Sequence, residues 1–199
     1  MENTTQSIIK ELVACLHGDI LKPRGFKKSA YTWIRTDGWS KLINLQLSKS
    51  NTSAEASFTL NLGVFIRELH DAAGSYSVTG EPKEPDCDIR TRVGMLLPSG
   101  TDKWWKVTPA SNTGRLFDEV SADLIDAGLP WLESLQDYST VATELMRQKN
   151  HFLAAIAHKL DGRGDAAAES MEMARAKANK LALPKLKMIA EALGIPLKG

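Results

Sequence analysis

The sequence predicts an α+β protein: an N-terminal helix, an antiparallel β-meander sheet packed by helices, and an α-helical C-terminal extension. Two observations lead to this fold class. Apolar residues recur with a period of two over much of residues 31–65, and the period changes to about 3.6 from residue 111 onward. Strands therefore come first and helices afterwards, which is typical of α+β proteins rather than of alternating βαβ units.

A first helix is predicted over residues 5–21. Thr4 or Thr5 can cap its start, and Pro23 and Gly25 end it. Its apolar side chains recur at steps of three and four residues, which places them on one face that packs against the sheet. These side chains are Ile8, Ile9, Leu12, Val13 and Leu16.

Three strands are predicted over residues 31–36, 39–49 and 56–65. Asp37-Gly38 is a tight-turn dipeptide of the kind that joins antiparallel strands. Because side chains alternate along a strand, the second and third strands give the sheet one apolar face and one polar face. The apolar face has Ile43, Leu45, Leu47, Phe58, Leu60 and Leu62, and the polar face has Asn44, Gln46, Thr59 and Asn61.

Less regular segments follow the meander. Two glycines and two prolines interrupt residues 70–88, which predicts a long surface loop. Short runs at residues 87–97 and 103–108 are predicted as strands, with a helical turn at residues 90–96 as the alternative for the first run. The sheet is therefore expected to gain further strands after the loop.

The remaining residues are predicted to be helical, and we assign residues 1–136 to an α+β domain and residues 137–199 to an extension. Small residues in the extension give it the spacing of a tetratricopeptide-like hairpin, but such repeats need about three units for stability. We therefore expect the extension to dock on the α+β domain, with a homodimer through these helices as the alternative. The predicted helices are 111–128 (capped by Ser111 or Asn112), 131–135, 139–160 with a break near Asn150, 165–181 and 184–193.

Composition excludes several classes of protein. The chain has 25 Lys and Arg against 24 Asp and Glu, a formal net charge of +1, so no overall field draws it to nucleic acid or to an anionic membrane. No run approaches the roughly 18–20 apolar residues that span a bilayer. The N-terminal residues lack a signal-peptide pattern, and two cysteines occur, Cys15 and Cys87. We therefore expect a cytoplasmic protein with free thiols.

Common enzyme and nucleic-acid motifs are missing from the sequence. It has no GxSxG, GxxxxGK[ST], HExxH, CxxC or strand-linked GxGxxG pattern. His151 and His158 share a helix face, but seven residues rise roughly 10.5 Å, too far for one metal ion. Residues 187–196 are similar to the first helix of a helix-turn-helix, yet three residues follow and leave no recognition helix. We expect no cofactor, no metal, no nucleic acid and no membrane.

The polar sheet face and two nearby arginines are the candidate binding residues. Arg90 and Arg92 point the same way if their segment is a strand, and guanidinium groups bind carboxylate or phosphate through a fork geometry. The alternative is that they pair with nearby Asp86, Asp88 or Asp102. Lys27, Lys28, Lys103 and Lys106 can add to an anion-binding patch. The predicted site comprises Asn44, Gln46, Thr59, Asn61, Arg90, Arg92 and Trp105.

Trp104 and Trp105 are adjacent, so in a strand they face opposite sides of the sheet. One of them is expected to belong to the core. The other is covered by a helix or stays exposed as a platform for a partner. We include Trp105 in the predicted site.

Six short phrases follow one another along residues 5–136: Leu21-Lys-Pro-Arg-Gly-Phe-Lys-Lys28, Ile43-Asn-Leu-Gln46, Asn61-Leu-Gly-Val64, Arg90-Thr-Arg-Val-Gly94, Asp102-Lys-Trp-Trp105 and Gly128-Leu-Pro-Trp131. In their order and spacing they resemble a family of mostly bacterial proteins, domain-of-unknown-function family 4304. The resemblance implies no activity. It implies an α+β unit with candidate partner-binding roles, immunity to toxins among them.

The sequence thus predicts a non-enzymatic, cytoplasmic bacterial module that recognises a partner or a polar ligand. The alternative is an enzyme of unrecognised type that uses the arginine-lined polar sheet face. An enzyme is expected to show a closed pocket where Arg90 or Arg92 meets a histidine or a carboxylate. A binding module is expected to show a flat or grooved surface with exposed aromatic side chains.

Overall fold

The computed structural model describes residues 4–197 and has the expected α+β class, with an N-terminal helix, a six-stranded sheet and C-terminal helices. The chain forms two compact units. The sheet unit is Met1–Val64 with Lys83–Glu133, and the helical unit is Phe65–Pro82 with Ser134–Gly199. The division after Glu133 lies close to the expected domain boundary. The assignment of residues 65–82 to the helical unit was not anticipated.

The first helix, α1 (Thr5–Cys15), continues into a π-helical turn at Leu16–Leu21 and a short 3₁₀ turn at Lys22–Arg24. Thr4 caps α1, because its side chain accepts a hydrogen bond from the Ser7 backbone N–H at 3.1 Å. Gly25 ends the helical segment with a φ of +81°, which glycine adopts without strain. All five predicted apolar side chains of this helix are buried.

The strands of the sheet are β1 (Lys27–Ser29), β2 (Thr32–Asp37), β3 (Trp39–Leu47), β4 (Ala56–Phe65), β5 (Ile89–Arg92) and β6 (Trp105–Val107). Their order in the sheet is β1-β2-β3-β4-β5, and β6 also pairs with β4. One edge of β4 is therefore shared, because β6 pairs with Ala56–Phe58 and β5 pairs with Asn61–Val64. The three predicted meander strands are confirmed as β2, β3 and β4, whereas β1 was not predicted.

Two predictions around these strands were partly wrong. The run at residues 87–97 contains both alternatives, because β5 is followed by the short helix α3 (Val93–Leu96). The segment predicted as a loop begins within α2 (Arg67–Ala72) and later contains a 3₁₀ turn at Glu84–Asp86. Leu69 of α2 is buried, so packing stabilises this helix despite the glycines and prolines that follow it.

Helices cover the apolar face of the sheet. The Asn112 side chain caps α4 (Thr113–Asp123) by accepting from the Arg115 N–H at 2.9 Å, as predicted. Gly128 was expected to end this helix, but the chain continues through a π-helical turn into α5 (Leu129–Ser134). A Cβ at Gly128 would lie 2.9 Å from Leu124 Cδ1 and 3.4 Å from Leu62 Cδ1, so glycine here permits close packing on the sheet.

The apolar face of β3 and β4 has the predicted register. Ile43, Leu45, Phe58, Leu60 and Leu62 are buried, and Leu47 is half-buried. The alternation along the two strands therefore identified the core-facing side chains of the sheet.

Glu133 of α5 forms ion pairs with two cations of the sheet, Arg35 and Lys41. It accepts from Arg35 Nη2 at 2.6 Å and from Lys41 Nζ at 3.0 Å. Burial acts to raise the pKa of Glu133, but the hydrogen bonds from Arg35 and Lys41 outweigh it and hold the pKa below its ordinary value. The buried stem of Lys41 is tolerated at this position because its ammonium group has this partner.

The helical unit has a core of its own. Small alanines let the helices approach closely around the buried side chain of Met171; the core residues are Ala155, Ala167, Met171, Ala174, Leu186, Ala190 and Ile195. The helices are α6 (Tyr138–Arg147), α7 (His151–Leu160), α8 (Gly164–Lys177) and α9 (Leu183–Leu193). The predicted break near Asn150 is confirmed, since α6 ends before it and α7 begins after it. Within residues 4–197, no helix is long and apolar enough to cross a membrane.

Replacing Leu60 with alanine is expected to destabilise the protein strongly. Leu60 is fully buried in β4, so the change removes apolar contacts and leaves a cavity. We expect a loss of about 2–5 kcal/mol in the free energy of unfolding, measured by urea titration. The control is Ser57→Ala on the same strand, which is half-buried and is expected to change stability much less. Equal effects of the two substitutions would contradict the assigned register.

The histidines of α7 are expected to make stability depend on pH. Burial, followed by the nearby ammonium of Lys177, lowers the pKa of His151. Burial, followed by Arg163, lowers the pKa of His158. The folded state therefore binds these protons less well than the unfolded chain, and stability falls as the pH drops through the ordinary histidine pKa of about 6.5. Urea unfolding followed by circular dichroism at about pH 7.5 and about pH 5.5 measures this difference.

The double variant His151→Gln/His158→Gln is the control for this pH dependence. It removes both titrating groups, so its free energy of unfolding is expected to change less between the two pH values than that of the unmodified chain. An unmodified chain that is equally stable at both values would refute the assignment.

Candidate functional site

Polar side chains from four strands meet on the face of the sheet opposite Leu45, Leu60 and Leu62. The register brings Thr32 of β2 beside Asn44 of β3, and Asn61 of β4 beside Arg92 of β5. Asp102 and Trp104, in the segment before β6, complete the group. We call this set the polar cluster: Thr32, Asn44, Gln46, Asn61, Arg92, Asp102 and Trp104.

Asn61 lies at the centre of the polar cluster and is 6% exposed. Its Nδ2 donates to Gln46 Oε1 at 2.8 Å and to Asn44 Oδ1 at 3.3 Å. Asn44 Nδ2 in turn donates to Thr32 Oγ1 at 2.9 Å. The structure thus brings together three predicted residues, Asn44, Gln46 and Asn61, as a continuous chain of hydrogen bonds. These hydrogen bonds satisfy the buried amide of Asn61, which would lower the stability of the fold if it had no partners.

Arg92 connects this chain of amides to Asp102 and Trp104. Its Nε donates to Asn61 Oδ1 at 3.1 Å, and its Nη1 forms an ion pair with Asp102. Trp104 Nε1 also donates to Asp102, at 2.9 Å, and the Arg92 Cζ lies 5.4 Å from the centroid of the Trp104 ring. Arg92 is therefore fixed in position and neutralised. The alternative that Arg92 pairs with a nearby aspartate is confirmed.

Arg90 lies on the same face of β5 but outside the polar cluster. Its side chain is 50% exposed and forms one long ion pair with Glu84, at 3.5 Å. Lys103 does not add to an anion-binding patch with the arginines, because it pairs with Glu119 and Asp123 of α4. Burial acts to lower the pKa of Lys103, but the hydrogen bonds with Asp123 and Glu119 raise it overall. These pairings reduce the positive charge that the sequence suggested for this surface.

Two predicted site residues lie in the core instead. Trp105 is 3% exposed and stacks on Phe58, with ring centroids 5.4 Å apart. This burial leaves it no surface for a partner, so its inclusion in the site is corrected: Trp104 is the tryptophan of the polar cluster. Thr59 is fully buried, and within the described chain its hydroxyl has no hydrogen-bond partner. Thr59 therefore cannot contact a partner directly.

The predicted site did not include Thr32, Asp102 or Trp104, although Asp102 was considered as a partner of Arg92 and Trp104 as an exposed platform. One signal was available, because Asp102 and Trp104 are two residues apart and share a face when the chain is extended. Pairing of Arg92 with Asp102 was considered, but no local pattern showed that Trp104 joins them. That proximity depends on the pairing of β6 with the first residues of β4.

Cys87 packs beside the polar face and is chemically protected. A Cβ at Gly63 would lie 2.6 Å from its sulfur, so the thiol occupies the space that glycine leaves. Burial, followed by the nearby charges of Glu84 and Asp88, raises the pKa of the Cys87 thiol far above its ordinary value. The thiol thus stays protonated and is a poor nucleophile. Among residues 4–197, no three His, Cys, Asp or Glu side chains are grouped so that they could hold a metal ion.

The fold is α+β, and the polar cluster lies on the sheet face opposite Ile43, Leu45, Leu60 and Leu62. The chain matches the family described as Domain of unknown function (DUF4304) over residues 17–134, more than half of its length, and it belongs to that family. The resemblance inferred from the six sequence phrases is thereby confirmed. No curated protein and no solved structure matches the chain.

Arg92 and Arg90 are expected to differ in their effect on stability. Arg92→Gln leaves Asp102 and the buried Asn61 with unmade hydrogen bonds, so we expect a loss of about 1–3 kcal/mol in the free energy of unfolding. Arg90→Gln removes one exposed ion pair and is expected to change it by about 0.5 kcal/mol or less. Urea titration of both variants measures the difference. Equal stability of the two would show that the hydrogen bonds of Arg92 do not hold the cluster together.

Proposed function

We propose that this chain is a non-enzymatic, cytoplasmic bacterial module that binds a protein partner through the polar cluster, with Trp104 and Arg92 at the centre of the contact. The observation that carries the proposal is the half-exposed tryptophan fixed beside a half-exposed arginine. Trp and Arg are enriched among the residues that contribute most to binding at protein interfaces. Side chains that are already held in position lose little further conformational entropy on binding.

The charge and hydrogen bonding of the cluster favour a neutral, polar partner surface over an anion. Asp102 balances the charge of Arg92, and the Nε and both terminal nitrogens of Arg92 already have partners. In contrast, the Nε2 of the half-buried Gln46 has no partner within the described chain. A backbone carbonyl of a partner protein can accept from this nitrogen. A partner segment that offers polar backbone groups to Gln46 and places an apolar side chain against Trp104 therefore fits the surface best.

The enzyme alternative has less support from the same geometry. Catalysis by general acid or base requires a titratable group poised near the substrate. The polar cluster has one carboxylate, Asp102, and it is engaged by both Arg92 and Trp104. This engagement favours a structural role for Asp102, which holds the two exposed side chains in place.

Copurification from the native cells tests the proposal. The baits are the unmodified chain, Trp104→Ala and the control Lys10→Ala, an exposed residue of α1 outside the polar cluster. We expect one partner protein to be retained by the unmodified chain and by the control, and to be lost with Trp104→Ala. With that partner purified, calorimetry is expected to show about 30-fold weaker binding by Trp104→Ala, as for a central interface residue.

Thermal unfolding of each bait separates lost binding from lost folding. A partner that binds Trp104→Ala as tightly as the unmodified chain would place the interface elsewhere and refute the proposal. A small molecule that the unmodified chain converts, and that Arg92→Gln does not, would establish the enzyme alternative instead.

A further inference from the structure

The helical unit contains a groove of about 480 Å³ that plays no part in the proposed function above. It lies where the turn before α7, the C-terminal end of α8 and the start of α9 come together. Its apolar lining includes Phe152, Ala174, Ala178 and Leu186. Leu181 stands at its rim and is 89% exposed. Small-molecule sites have this size range and this mostly apolar lining.

Three lysines line the same groove: Lys149, Lys177 and Lys185. The groove lining contains no Asp or Glu, and among the described residues none of the three lysines forms an ion pair with a carboxylate. Lys177 Nζ instead lies 2.8 Å from His151 Nε2, and Lys185 Nζ donates to the Gly74 carbonyl oxygen at 3.0 Å. The groove therefore combines an apolar lining with ammonium groups that lack a counter-charge.

Lys149 occupies the left-handed backbone position that ends α6, where its N–H donates to the Met146 carbonyl oxygen at 2.9 Å. Its φ is +61°, in the left-handed region that favours glycine, between α6 and α7. A lysine there costs conformational energy that a glycine would not. The chain nevertheless has a cation at this strained position on the edge of the groove.

We propose that the groove binds a small amphiphilic carboxylate, with its apolar chain on the lining of Phe152 and Leu186 and its carboxylate among Lys149, Lys177 and Lys185. The carboxylate supplies the missing negative charge and accepts charge-assisted hydrogen bonds. Binding removes the apolar surface of the ligand chain and of Leu181 from water, and this burial stabilises the complex. The volume favours a small molecule over a folded partner, whose interface would need a larger area.

Calorimetry with dodecanoate and the full chain tests this site. Dodecanoate, kept below its micelle concentration, is expected to bind with one-to-one stoichiometry and to weaken as salt rises. Dodecylammonium has the same apolar chain and the opposite charge, so it is expected to bind at least about tenfold more weakly. Lys177→Gln is expected to weaken dodecanoate by about tenfold, whereas Lys187→Gln, an exposed lysine of α9 outside the groove, is expected to leave it unchanged.

Lys149→Gly separates binding from folding. It removes the cation and relieves the left-handed strain, so the melting temperature is expected to stay the same or rise while dodecanoate binds more weakly. Equal binding of dodecanoate and dodecylammonium would overturn the proposal, and so would unchanged binding in Lys149→Gly and Lys177→Gln. Tighter binding of an acidic, leucine-rich peptide than of dodecanoate would also overturn it, because the occupant would then be a protein segment. None of these results depends on Trp104.

Discussion

The buried side chain of Asn61 is the constraint around which the polar face of the sheet is arranged. Asn61 lies on β4, which is buried along almost its whole length and has neighbours on both edges. An amide in that position needs partners for both its oxygen and its nitrogen. Gln46 and Asn44 satisfy the nitrogen, and Arg92 satisfies the oxygen. These hydrogen bonds fix the position of the Arg92 guanidinium. Its ion pair with Asp102, which accepts from Trp104, then fixes those two side chains as well.

The same hydrogen bonds therefore serve stability and surface shape together. If Arg92 were free, it would lose side-chain entropy on meeting a partner. Because the fold already immobilises Arg92, this side-chain entropy is lost on folding and not on binding. The two short strands that share one edge of β4 contribute to this arrangement, because β5 carries Arg92 and the segment leading into β6 carries Asp102 and Trp104.

Local patterns predicted the parts of this structure that depend on local geometry. The period of two in β3 and β4 identified Asn44, Gln46 and Asn61 as neighbours, because alternation alone decides which face a side chain occupies. Alternation also places Trp104 and Trp105 on opposite faces, but it does not show that Trp105 is the one that packs on Phe58, so the wrong tryptophan was placed in the site. The groove follows no local pattern for a related reason: its lysines come from the turn before α7, the end of α8 and the start of α9, which only tertiary packing brings together.

Residues 65–82 have a consequence for how this chain could have evolved. The chain leaves the sheet unit after Val64, returns after Pro82 and leaves again after Glu133. The helical unit is thus not an attachment that recombination could exchange at one junction. A crossover at residue 134 would transmit α2 without α7, against which it packs. Inheritance of the two units together is the simplest way to keep both intact. A gene fusion that added the helical unit would have to supply two separate segments, residues 65–82 and the residues after 133.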